Sequence, residues 1–168
     1  PLTAKEGAWQ TLGPSAEPFQ AGWPAPKAMD RSDMDRVRDE FVRSTEMAAT
    51  AGFDWLELHM AHGYLLHQFL TPLVNQRDDA YGGGLDGRLR FPLEVVHEVR
   101  RVWPEQLPVF VRISATDWVD GGWNLEQSVA LAARLREAGI DLVDVSSGGA
   151  VPGAMIGPSG APPQPGYQ

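Results

Sequence analysis

The 168-residue sequence has no cysteine, no excess of positive charge and no apolar run approaching the ~18 residues of a membrane span. Each absence excludes something. Without thiols there are no disulfides, no thiolate metal sites and no cysteine nucleophile. A net charge of −8 speaks against nucleic acid, whose phosphates need a basic surface. It favours solubility and says little about fold. Pro1-Leu2-Thr3 offers neither an initial Met nor a signal-peptide pattern. The expectation is a cytoplasmic protein that engages neither nucleic acid nor membrane, long enough for one domain with a real core.

Against that background Leu56-Glu57-Leu58-His59-Met60-Ala61-His62-Gly63-Tyr64-Leu65 stands out. A strand-like apolar run leads into His59 and His62, and Tyr64 follows two residues after the second. The exit of a strand is where a parallel barrel keeps its chemistry. Two imidazoles can hold one oxygen, and a phenol can deliver a proton beside it. The residues alone leave three roles open for the pair: ordinary polar side chains at a strand end, two ligands of a metal, or two donors to a ligand oxygen.

Residues 1–29 are rich in proline and show neither a helical nor a strand period. They form an irregular segment whose Trp9, Phe19 and Trp23 are expected to pack onto a larger body. A helix begins after Asp30, a good N-cap with Asp33 near the positive helix end. Met34, Val37, Phe41, Thr45 and Ala48 share one face of it, and Gly52 closes it. Residues 54–59 are expected as a strand and 66–84 as a long loop, in which Asn75, Arg77, Asp79 and Tyr81 staple the backbone. A second helix spans about 86–103, with Phe91, Val95, Val99 and Val102 on its face and Pro92 in its opening turns. A strand over 109–114, a helix capped by Asn124 and Gln127 and ending at Gly139, and a strand over 141–146 complete the pattern. Strands alternating with amphipathic helices mean βα units and a parallel sheet.

Strand alternation narrows this further. Trp55, Glu57 and His59 share a face; so do Phe110, Arg112 and Ser114, and so do Leu142, Asp144 and Ser146. The opposite faces are aliphatic. An open sheet covered by helices on both sides should be apolar on both faces, whereas a barrel has an interior that turns polar toward its site. The expected class is α/β, a fragment of a (β/α)8 TIM barrel with about three βα units, since a whole one needs roughly 250 residues. Residues 30–147 would be the partial barrel, with 1–29 packed on it and 148–168 a Gly/Pro-rich loop. Glu57, Arg112 and Asp144 could form an ion-pair cluster inside it. His67 and His97 carry no assigned chemistry: the first is structural or exposed, the second solvated on a helix.

His59-x-x-His62-Gly63-Tyr64-Leu65, Pro72-Leu73-x-Asn75-x-Arg77-x-Asp79-x-Tyr81-Gly82-Gly83, Arg88-x-Arg90-Phe91, Val111-Arg112-Ile113-Ser114 and Asp144-Val145-Ser146-Ser147-Gly148, in this order, resemble the Old Yellow Enzyme family of NAD(P)H:flavin oxidoreductases. The likeness covers roughly residues 8–168 and is nearest to its bacterial NADPH dehydrogenases. It implies an FMN-bound (β/α)8 barrel, with this chain across the fourth to sixth strands; the strands that stack on the flavin and those that bind its phosphate lie outside the likeness. Gly84 and Asp86-Gly87 depart from the family pattern, which has Ser and Glu-Asn there. Losing the Ser cap weakens the following helix by about 0.5–1 kcal/mol.

The resemblance implies that His59 and His62 hold a substrate carbonyl oxygen, that Tyr64 is the proton donor and that Arg112 faces the flavin near N1 and the C2 oxygen. No metal site is assigned. The implied reaction reduces the C=C bond of an α,β-unsaturated carbonyl compound or related electrophilic alkene by hydride from FMN, itself reduced by NADPH or NADH. The resemblance leaves a homo-oligomer open for the full-length protein. Three alternatives stand beside it: an oxidoreductase module of a larger two-module flavoprotein, a metal-dependent barrel hydrolase using His59, His62 and Glu57, and an inactive half-barrel.

Overall fold

The computed structural model describes residues 2 and 4–154. Most of the loop expected over 148–168 therefore lies outside the described residues. Three parallel strands form the centre, β3 (Leu56–Met60), β4 (Val109–Ser114) and β5 (Leu142–Ser146), in that spatial order. Helices α1 (Arg31–Ala51), α3 (Leu85–Val102) and α4 (Leu125–Glu137) precede or connect them. The three strand–helix units lie where the hydrophobic periods put them.

Local chemistry explains the helix ends. Asp30 caps α1 by accepting from the Asp33 N–H at 2.9 Å, and the Asp33 carboxylate returns the bond to the Asp30 N–H. Lys27 binds both carboxylates, at 2.6 Å to Asp33, so the chain enters α1 at a fixed angle. Asn124 caps α4 by accepting from Gln127 N–H. Gly84 caps α3 with no side-chain bond, as expected once serine is absent. Pro92 falls in the interior of α3 instead of its opening turns. Its missing N–H leaves the Arg88 carbonyl without its helical partner.

The aliphatic faces of β3 and β4 make the core, whereas on β5 Val143 is only partly buried and Val145 is exposed. Leu58, Met60, Val109, Val111 and Ile113 cluster with Phe91, Val95 and Val99 of α3 and with Leu131 and Leu135 of α4. Burying such a side chain is worth about 1.5–3 kcal/mol each, so this face sets the register. The opposite face is open: Trp55 and Leu142 are exposed, and the Trp55 and Phe110 rings stack at 5.3 Å.

Two segments differ from expectation. Residues 66–84 begin inside a short helix, α2 (Leu65–Leu70), with Leu66, His67, Phe69 and Leu70 buried. Six residues are too few to display a helical period. Within 1–29, β1 (Leu12–Gly13) and β2 (Lys27–Ala28) pair in parallel, where no strand was expected. Arg77 fastens this segment by donating to the Pro14 and Met29 carbonyls at 2.8 and 2.7 Å. Asn75 staples its loop through the Phe69 and Tyr81 carbonyls.

Among the described residues, strands β3 and β5 are edges, each paired on one side only, and unpaired edges cannot close a barrel. As a separate polypeptide, the 168 residues should bind FMN weakly or not at all. A fluorescence titration checks this; stoichiometric, submicromolar binding would contradict it.

Candidate active site

Burial of Leu58 and Met60 turns Glu57 and His59 to the open face. His59 then stands in register with Arg112 of β4, and Arg112 with Asp144 of β5. Arg112 Nε lies 3.3 Å from Asp144 Oδ2, so the two pair as their shared face implies. The contact is too bent for a hydrogen bond, and Nε has no hydrogen-bond acceptor among the described residues. Glu57 makes no ion pair among those residues; it is exposed and opposes Phe110 in register.

Beyond Met60 the chain leaves the sheet in a tight turn. His62 has φ 58° and Gly63 φ 75°, a left-handed stretch that is uncommon for a non-glycine residue. The His62 N–H donates to Ser114 Oγ at 2.9 Å, and Ser114 Oγ donates to the Gly148 carbonyl at 2.8 Å. One hydroxyl thus ties the β3 exit to the β5 exit. The two loops touch backbone to backbone. A Cβ on Gly149, itself at φ 95°, would come within 2.5 Å of His62 Cα, and one on Gly63 would strike the Gly149 carbonyl.

The turn brings three rings together. The His59 and His62 centroids are 5.2 Å apart, and the Tyr64 ring stands edge-on to His59 at 5.3 Å. Tyr64 occupies the cap position of α2 and is 65% exposed, so its hydroxyl is open to a ligand. His62 Nε2 shares a 2.6 Å hydrogen bond with Ser146 Oγ. Burial holds the His62 pKa below its usual value, reinforced by the neighbours His59, Arg112 and His67 and opposed by a smaller pull from Asp144. The imidazole is a neutral hydrogen-bonding group at neutral pH.

A second layer lies under this turn. His67, fully buried, accepts the Gly63 N–H on Nδ1 at 2.9 Å. Its Nε2 stands 3.1 Å from Asp117 Oδ1, in a contact that is close but not linear. Asp117 Oδ2 accepts from Thr71 Oγ1 at 2.5 Å and from the Trp123 N–H at 2.8 Å. Burial would raise the Asp117 pKa; the donors His67, Thr71 and Trp123 outweigh it and hold the carboxyl below its usual range. The sequence signals this layer poorly. The sequence pattern leaves His67 structural or exposed and gives Asp117 no role. His97 is exposed on α3. A groove of about 600 Å³, lined by Trp9, Phe19, Trp23, Leu73, Val74 and Val151 among others, includes none of the three rings.

Comparison with known proteins identifies the family. Residues 3–160 match the NADH:flavin oxidoreductase / NADH oxidase family. The NADPH dehydrogenase of Geobacillus thermodenitrificans is 45% identical over 143 residues, covering 85% of this chain and 42% of the relative. Among solved structures, the Old Yellow Enzyme homologue of Zymomonas mobilis superposes with TM-score 0.71 at 26% identity, over 82% of this chain and 42% of that one. A 2-naphthoyl-CoA reductase complex superposes with TM-score 0.80 at 27% identity, over 88% of this chain and 23% of that one. The chain belongs to the NADH:flavin oxidoreductase / NADH oxidase family, whose relatives here are flavin- and nicotinamide-linked enzymes. It carries three consecutive βα units of their (β/α)8 barrel and spans about two fifths of the length of the curated relatives it matches. The Old Yellow Enzyme resemblance and the barrel inferred from strand alternation both hold.

The depressed His62 pKa has a signed consequence. A lowered folded value favours the neutral ring, so its stabilising contribution is complete above the unfolded value of about 6.5 and is lost as pH falls through the folded one. An NMR titration should show His62 protonating below that value. Protonation above it would contradict the assigned environment.

Proposed function

We propose that this chain forms the substrate-binding wall of an FMN-dependent NAD(P)H oxidoreductase that reduces the C=C bond of α,β-unsaturated carbonyl compounds. One arrangement supports the reading above all. Two imidazoles 5.2 Å apart and a phenol 5.3 Å from the first gather at the end of β3, on the face that carries Arg112.

His59 and His62 are the donors to the carbonyl oxygen. Negative charge builds on that oxygen as the β-carbon receives hydride, and a single donor aimed at it is worth roughly 10²–10³ in rate. A neutral His62 has one N–H; with Nε2 accepting from Ser146 Oγ, that proton is on Nδ1, which is the donor in this role. Tyr64 delivers the proton to the α-carbon, since a positioned phenol can act as a general acid. Arg112 fits the flavin: its Nε is buried without a hydrogen-bond acceptor among the described residues, and a cation there favours a ring that gains negative charge on reduction. Bound FMN would supply the hydride, replenished from NADPH or NADH. The substrate is then a small electrophilic alkene, in a cytoplasmic setting.

A second reading, the oxidoreductase module of a larger two-module flavoprotein, is supported by the TM-score of 0.80 with a structure of which this chain covers only 23%. The metal-dependent hydrolase has less support, since no group of three or more His, Cys, Asp or Glu among the described residues is arranged to hold a metal.

Tyr64→Phe in the full-length protein tests the assignment. Flavin reduction by NADPH should be nearly unchanged, since that step needs no acid at this position. Reoxidation by an enone should slow by roughly 10²–10⁴-fold, the usual worth of a positioned acid. Stopped-flow traces that slow equally in both half-reactions would mean that Tyr64 only shapes the site.

A further inference from the structure

The turn that presents His62 and Tyr64 is held by groups the chemistry above does not use. The Gly63 N–H donates to His67 Nδ1 at 2.9 Å, and the Gly63 carbonyl accepts from Gln68 Nε2 at 2.8 Å. Both side chains come from α2, the helix that starts immediately after Tyr64. The His62–Gly63–Tyr64 backbone is therefore gripped from below by the helix it leads into. A left-handed His62 persists only if its surroundings over-determine it.

His67 is itself fixed. It is fully buried, and because Nδ1 accepts from Gly63, the ring proton resides on Nε2, facing Asp117 Oδ1 at 3.1 Å. Asp117, also fully buried, is anchored through its other oxygen by Thr71 and by the Trp123 backbone. Asp117 and Trp123 belong to the loop after β4. The grip on the β3 exit thus extends to a different strand's loop.

We infer that the buried His67–Asp117 pair is a positioning device for the site: it sets the direction of the Gly63 N–H and thereby the placement of His62 and Tyr64 against the substrate oxygen and α-carbon. This rests on the proposed ene-reduction and adds to it two residues that touch neither substrate nor flavin. Asp117 chooses the tautomer of His67, and the tautomer chooses whether Gly63 has an acceptor. A ring flipped or protonated at Nδ1 would turn a donor toward the Gly63 N–H and open the turn.

Two substitutions separate the links. In His67→Asn the side-chain oxygen takes the place of Nδ1 and keeps an acceptor for Gly63, while contact with Asp117 is lost. In His67→Gln the side-chain amide reaches toward Asp117, while the acceptor for Gly63 is lost. In the full-length holoenzyme, His67→Gln should slow enone reoxidation by roughly 10–100-fold, the cost of misplacing groups by about an ångström. NADPH reduction of the flavin and FMN content should stay as in the parent, and His67→Asn should recover most of the loss. Hydrogen exchange at the Gly63 amide, read on the same proteins, should speed up in His67→Gln and stay slow in His67→Asn. Equal loss of thermal stability, FMN content and both half-reactions in the two variants, or an unchanged Gly63 amide in His67→Gln, would overturn the inference. A parent enzyme that reduces no enone would instead fault the proposed reaction, and the exchange measurement would still decide the positioning role.

Discussion

Everything at the candidate site depends on a place where two backbones meet without side chains between them. The β3 exit at His62-Gly63 and the β5 exit at Gly149 approach so closely that neither glycine has room for a Cβ. Ser114, at the end of the strand between them, accepts from one loop and donates to the other. These contacts hold His62 in a left-handed conformation, a state that costs free energy unless neighbours enforce it. Such strain needs support on several sides, and His67, Gln68, Ser114 and Gly149 supply it.

The sheet register supplies the rest. With Leu58 and Met60 in the core, His59 must point the other way, and pairing places it beside Arg112 and Arg112 beside Asp144. The same division that builds the hydrophobic cluster under α3 and α4 therefore collects the polar groups on the opposite face. Their proximity has an electrostatic result. His62, partly buried and near His59 and Arg112, resists protonation, which leaves a neutral hydrogen-bonding ring. One packing decision, which face of β3 goes inside, fixes both the stability and the chemistry.

Much of this was legible in the residues. The three strands, the caps at Asp30, Gly52 and Asn124, and the polar parity of Glu57, Arg112 and Asp144 follow from periods of 2 and 3.6 and from cap chemistry. His59, His62 and Tyr64 announce themselves by clustering at a strand exit. What was not legible depends on distance in sequence. Helix α2 is too short to show a period, and β1 and β2 are pairings of two residues each. His67 and Asp117 are 50 positions apart and meet only after folding; alone, each is an unremarkable polar residue. The role of Gly149 as the surface against His62 needs a contact that no local pattern encodes. Glu57 met its expected face but not an ion pair, because its register partner is Phe110.

The close approach of the two loop backbones sets the imidazole pair. Replacing Gly149 with Ala in the full-length holoenzyme tests it most directly. The added Cβ, 2.5 Å from His62 Cα and on a backbone at φ 95°, must displace the turn. Reoxidation of the reduced flavin by an enone, followed by stopped flow, should slow by at least roughly tenfold while FMN stays bound, as a misplacement of about an ångström requires. Unchanged reoxidation in a variant that retains its flavin would contradict the account.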